Sequence, residues 1–124
     1  SHRDLDRVEF LVTARRQFVE LQAAWDGADL VRLGSLTTAD MLDELRATLP
    51  ERGAGPNRTD VLELHAELLA FEHMAALDVA SVEFSGLIRE SAHLGAVPFR
   101  EMWMLARIRE EVRPWLLARQ LALL

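Results

Sequence analysis

The sequence predicts an α+β domain in which N-terminal helices pack on one face of a curved four-stranded antiparallel sheet. Three observations carry the prediction. Apolar residues recur at helical spacing through the first half of the chain. Beyond a Pro- and Gly-rich break, the period of the apolar residues falls from about 3.6 to about 2. The apolar runs that follow are similar in length and separated by short polar breaks, as in a meander of consecutive strands. Helices and strands segregated along a chain give an α+β layer architecture.

The first helix starts at Asp6-Arg7-Val8-Glu9, which has the spacing of a capping box with Asp6 as N-cap. Phe10, Ala14, Phe18, Leu21 and Trp25 then form one apolar stripe. Gly27 is placed to stop this helix in a left-handed conformation. A short helical segment from Asp29 to Leu33 follows, closed by Gly34. Thr37 or Thr38 caps a third helix with Met41, Leu42, Leu45 and Leu49 facing inward, and Pro50 and Gly53 end it. The long first helix must bury Phe10, Phe18 and Trp25, and the apolar face of the sheet is the surface large enough to receive them.

PERGAGPNRT, from Pro50 to Thr59, is the clearest loop. Its Asn57-Arg58-Thr59 matches a glycosylation acceptor, a short pattern that carries little weight without a secretory context. The next stretch, LELHAELLAF (Leu62 to Phe71), is rich in helix formers, yet its apolar residues fall on even positions from Leu62 to Ala70. A helix would scatter Glu63, His65 and Glu67 around its circumference, whereas a strand sets them on one side. Context and period outweigh propensity, and the stretch reads as the first strand. The others are Leu77 to Ile88, Phe99 to Ile108, and Trp115 to Leu123 after Pro114.

With 124 residues, half of them hydrophobic, the chain suits one domain, spanning residues 3–124 with Ser1 and His2 read as a tag remnant. No stretch approaches the roughly 18 apolar residues of a membrane span. A net charge of −6 opposes nucleic-acid binding, which needs a basic footprint. Absent cysteine removes disulfides and thiolate chemistry. All basic residues are Arg, so no amine nucleophile is available, and the Arg bias reads as a GC-rich bacterial genome.

Three constellations offer chemistry. Glu63, His65 and Glu67 on one strand face suggest a metal site or a paired base. Two carboxylates two residues apart along a strand are separated by about 7 Å, wide for a shared ion, so a solvated face is the simpler reading and no metal site is expected. Met102, Trp103 and Met104 suit an adaptable apolar pocket or ordinary packing. Phe18, Trp25, Leu64, Phe84, Met102 and Met104 are the candidate pocket residues. Arg7, Arg15 and Arg16 are candidates for contact with lipid or an acidic partner, against a solvated helix face paired with nearby acids.

Several segments together resemble a known family: WDGADLVRLGSLTTADMLDELRATL, NRTDVLELHAELL, VEFSGLIRE, FREMWML and WLLARQ. In order and spacing they look like the C-terminal domain of the mitochondrial inner-membrane import-motor scaffold, the forty-four-kilodalton translocase subunit, and its bacterial relatives. The resemblance runs from about Val8 to Leu121. It implies the cone-shaped fold shared with nuclear transport factor two and ketosteroid isomerase. It also implies a non-enzymatic role, no cofactor, and a protein partner such as a chaperone or membrane protein, or a lipid. Membrane association would come through an upstream segment absent here, with the domain on the cytoplasmic side of a bacterial inner membrane. Here the N-terminal helix departs from the mitochondrial pattern, because Asp4, Asp6, Glu9 and Glu20 offset Arg3, Arg7, Arg15 and Arg16 and weaken any basic lipid-gripping surface.

Two functions follow. The first is a non-catalytic binding or scaffold domain, with a homodimer suggested by the apolar character of both faces of Phe99 to Ile108. The alternative is a small isomerase, dehydratase or hydrolase of the same cone fold. That chemistry needs an acid or base in the apolar interior and a donor for an oxyanion. The inward parity of the first strand offers nothing ionisable, Tyr is absent, and Asp78, expected at a strand's edge, is the one acid sharing parity with Ala80, Val82 and Phe84. A buried Asp78 or His65 in a cavity would favour the enzyme.

Overall fold

A computed structural model describes residues 6–53, 58–91, 93–111 and 114–124. The expectations for Ser1, His2, Arg3, Asp4 and Asn57 lie outside the described residues. The elements run α1 (Arg7–Asp26), α2 (Leu30–Leu36), α3 (Ala39–Thr48), a 3-10 turn (Leu49–Arg52), then β1 (Asp60–His73), β2 (Leu77–Arg89), β3 (Val97–Ile108) and β4 (Leu116–Ala122). The strands form one antiparallel sheet in the order β1-β2-β3-β4, with the helices against one face. This is the predicted α+β architecture, and it is consistent with the nuclear-transport-factor-two-like cone.

Helix α1 forms where the apolar stripe demanded. The Asp6 carboxylate accepts the Glu9 N–H at 3.1 Å, satisfying one of the donors a helix start leaves free. Phe10, Ala14, Phe18, Leu21 and Ala24 face the sheet. Phe18 is the centre of the core, with ring centroids 4.8 Å from Phe84, 5.4 Å from Phe99 and 5.3 Å from Trp103. Phe10 meets Trp115 edge-on at 5.1 Å. Burying each such side chain contributes about 1.5–3 kcal/mol. Trp25 is only partly buried, because Ala24 takes the inward position at the last turn.

Two helix ends differ from expectation. Gly27 keeps a right-handed φ of −86°, and Ala28 takes the positive φ of 50°. The helix still ends at Asp26 with Gly27 as its cap, whose N–H reaches Ala23 O at 3.1 Å, and the positive φ falls one residue later, just before Asp29 caps α2. Gly34 lies inside α2 rather than closing it. It faces α3, where a Cβ would just touch a Leu42 methyl at 3.4 Å. Thr38 caps α3 by accepting the Met41 N–H at 3.3 Å, and its own N–H donates to Leu117 O at 2.9 Å, joining the helices to β4.

The ambiguous stretch LELHAELLAF is a strand, but its face pattern is not the simple alternation of the sequence. β1 carries register shifts between Val61 and Glu63 and between Leu68 and Ala70. Each admits an extra residue and moves side chains to the other face. Leu62 and Ala70, expected inward, are therefore exposed, while Val61 and Phe71 join Leu64, Ala66 and Leu68 against the core. The first bulge drives Glu63 O toward Gly86 on β2, where φ is 152°. A Cβ at Gly86 would lie 1.9 Å from that oxygen, so only glycine fits.

Candidate functional site

The six pocket candidates do not converge. Phe18 and Phe84 are fully buried in the core, and Leu64 is packed at its margin. Met102 and Met104 alternate with the buried Trp103, so they lie on the outer, helix-free face, paired across β2 with Glu83 and Ser81. A strand that is apolar on both sides splits its large residues between two faces. Of the six, Trp25 lines a cavity of 260 Å³ together with Leu21, Leu33, Leu45 and Gln120.

That cavity adjoins a second of 290 Å³ between α3 and the sheet, and the two share Leu45, Thr48 and Gln120. Met41, Glu44, Ala122 and Glu101 complete the second. Glu101 is an inward-facing acid on β3 that lines this second cavity. It pairs with Phe84 across β2 and shares the inward parity of Phe99, Trp103 and Leu105. Its Oε1 accepts Trp103 Nε1–H at 2.7 Å and Gln120 Nε2–H at 3.2 Å. Burial pushes its carboxyl above the usual range, and these two donors offset part of that rise.

Asp78 is buried at 2% exposure rather than sitting at an open edge. Its Oδ1 lies 2.7 Å from His73 Nδ1 and accepts Arg109 Nη1–H at 2.8 Å, while Oδ2 accepts Arg107 Nη2–H at 3.0 Å. Burial pushes this carboxyl up, but Arg107, Arg109 and His73 outweigh it and hold it below the usual range. Arg109 also donates to Leu77 O at 3.1 Å, to Ala75 O at 2.6 Å and to Met74 O, gathering the carbonyls of the β1–β2 turn. The Arg107 guanidinium lies 4.5 Å over the Trp115 ring. A carboxylate whose two oxygens are occupied by two guanidiniums and an imidazole is a clamp for the hairpin and is poorly suited to act as a base. It lines neither of the two cavities above.

Glu63, His65 and Glu67 lie exposed on the outer face of β1, with His65 Nε2 3.1 Å from Glu63 Oε1. Glu67 faces Glu83 and His65 faces Ser85 across the strands, so no inward acid–base pair forms there. On α1, Arg7 and Arg16 are exposed and Arg15 is half-buried. The expected pairing with nearby acids is not seen: no ion pair among the described residues engages these three, and Glu20 turns instead to Arg32 on α2 at 2.7 Å. Between the arginines, Val8, Val12 and Val19 are exposed at 75%, 44% and 47%. They recur at helical spacing on the side of α1 away from the core.

Asp26, at the end of α1, accepts the Thr59 N–H at 2.5 Å and the Thr59 hydroxyl at 3.0 Å. These contacts give physical roles to two of the short segments that carried the family resemblance, Trp25-Asp26 and Arg58-Thr59, by pinning the start of β1 to α1. A family model described as the Tim44-like domain matches residues 2–121. No curated protein matches the chain.

Proposed function

The chain belongs to the Tim44-like domain family, and from that premise we propose that it is a non-catalytic scaffold domain that docks a protein or a bilayer through the outer ridge of α1. At the level of the family this is a membrane-associated, import-related role. No helix among the described residues is long and apolar enough to cross a membrane. As part of the same proposal, a segment outside this sequence supplies membrane attachment, with the domain on the cytoplasmic side of a bacterial inner membrane.

The observation that carries the reading is the exposed stripe of Val8, Val12 and Val19 flanked by Arg7 and Arg16, which no ion pair engages among the described residues. An amphipathic face with bare apolar residues between cations suits a partner helix or an anionic surface. The absence of catalytic work is supported by Glu101. Both nearby donors, Trp103 and Gln120, point at its own oxygen rather than at a place where a substrate oxyanion would develop. The outer face of the sheet is the place for a second copy. A two-fold axis along the strands would set the acids of β1 and β2, including Glu67 and Glu83, against Arg119 of the partner copy, around Met102 and Met104.

The test is recruitment of the purified domain to native membranes and to protein-free vesicles of phosphatidylcholine with anionic phospholipid. Binding to native membranes alone indicates a protein partner, and binding to both indicates lipid. In either case the Val12→Glu, Val19→Glu double variant should lose it. Recruitment that the variant leaves intact would remove α1 from the function.

A further inference from the structure

We propose that the cleft between α3 and the β3–β4 end of the sheet binds a small organic ammonium ion with a short apolar tail, anchored on Glu101. The inference concerns a different surface from the α1 ridge and stands without it. Trp103 and Gln120 both donate to Glu101 Oε1, which fixes the carboxylate while Oε2 has no donor among the described residues. The cavity beside it measures 290 Å³, at the small end of the range for ligand sites.

The surroundings choose the ligand class. Met41, Leu45 and Ala122 give an apolar wall, and Glu44 adds a second carboxylate at the α3 side. The Thr48 hydroxyl is turned back to the carbonyls of Glu44 and Leu45, at 3.3 Å and 3.1 Å, so it competes little for a ligand. Neither this cavity nor the adjoining one is lined by Arg, so an anion would meet two carboxylates with no compensating charge. A hard divalent cation wants six or more oxygen ligands, which apolar walls do not supply. An ammonium group needs one well-placed carboxylate oxygen and gains a charge-assisted hydrogen bond about twice as strong as a neutral one. Its tail can run past Leu45 into the adjoining cavity toward Trp25 and Leu33, replacing water on apolar surface.

The experiment is an amide and indole NMR titration of the chain with n-butylammonium, alongside n-butanol as the uncharged analogue, at fixed ionic strength. The expected result is saturable shifts at the Trp103 indole and the Gln120 side-chain amide with n-butylammonium, and at least tenfold weaker binding of n-butanol. Glu101→Gln keeps an acceptor for Trp103 and Gln120 and should weaken n-butylammonium at least tenfold. Glu72→Gln, on the exposed face of β1, should leave it unchanged. A lysine-bearing peptide that competes assigns the ammonium to a polypeptide side chain, and one that does not compete assigns it to a free amine. Equal binding of n-butanol, no saturable shift, or undiminished binding by Glu101→Gln overturns the proposal. The comparison of the two ligands on the unaltered chain decides even if the variant misfolds.

Discussion

Replacing Gly86 with Ala should be among the most damaging single-methyl additions this chain can suffer. The new Cβ would fall 1.9 Å from Glu63 O and 2.6 Å from its carbonyl carbon. Ordinary carbon–oxygen approach is about 3.3 Å or more, so β1 must recede by more than about 1 Å. That movement stretches ladder hydrogen bonds at the bulge past the distance at which they hold, at about 1 kcal/mol each. Overpacking adds about 1–3 kcal/mol, and the φ of 152° strains any residue with a Cβ by about 1–3 kcal/mol. Because β1 is an edge strand it can yield, which keeps the total near about 4 kcal/mol. At about 2.1 cal/mol/K of unfolding entropy per residue, this chain loses about 15 °C in Tm. Thermal and urea unfolding followed by circular dichroism read this directly. Gly95→Ala is the control, since a Cβ there meets nothing within 4 Å. A Gly86→Ala variant within about 1 kcal/mol of the parent would refute the argument that the β1 bulge dictates the glycine.

Other perturbations separate the remaining contacts. Asp78→Asn should destabilise by about 2–3 kcal/mol at neutral pH, below the full cost of breaking a buried pair because both arginines are partly exposed. The folded-state pKa of Asp78 is lowered, so its contribution is present above the unfolded carboxylate range and lost as pH falls through the lowered value. Urea midpoints against pH should therefore fall less steeply on the acid side in the variant than in the parent, where Asp60 also contributes. Glu101 has the opposite sign: its raised folded pKa means stability falls as pH rises from the unfolded to the folded value. Glu101→Gln should raise the neutral-pH Tm and flatten that decline, and an unchanged pH profile would contradict a burial-driven shift. Thr59→Val removes one hydrogen bond to Asp26 and should cost about 1 kcal/mol, with faster hydrogen exchange confined to the start of β1.

The sequence showed the elements better than their faces. The change of apolar period separated helices from strands, and Asp6 and the Thr37-Thr38 pair marked two helix starts by capping chemistry, with Thr38 the residue that caps α3. The bulges of β1 were hidden because Val61 and Leu62 are both apolar, as are Leu68, Leu69 and Ala70. Sliding the register by one residue leaves the pattern looking equally good, and the compensating signal, Gly86, lies on the neighbouring strand. Glu101 was missed for a related reason. Met102, Trp103 and Met104 make both parities of β3 apolar, so the inward face could not be chosen from the strand itself. The parity of Phe99, Trp103 and Leu105, once paired with Val82 and Phe84, identifies Glu101 as the acid among them.

Asp78 and Glu101 then present the same residue chemistry on the same face of one sheet with opposite outcomes. Both are driven up in pKa by burial, as any carboxylate leaving water must be. What differs is the partners. Asp78 has two guanidiniums and an imidazole filling both oxygens, so its charge is fully used in closing the β1–β2 turn. Glu101 has two neutral donors on a single oxygen, so its charge is held in place without being neutralised. A fixed, uncompensated carboxylate beside a cavity costs the fold stability, and a cation entering that cavity would recover it. Among the described residues, the chain thus pairs the buried Asp78 where geometry must be locked, and leaves the inward charge of Glu101 uncompensated in the cleft beneath α3.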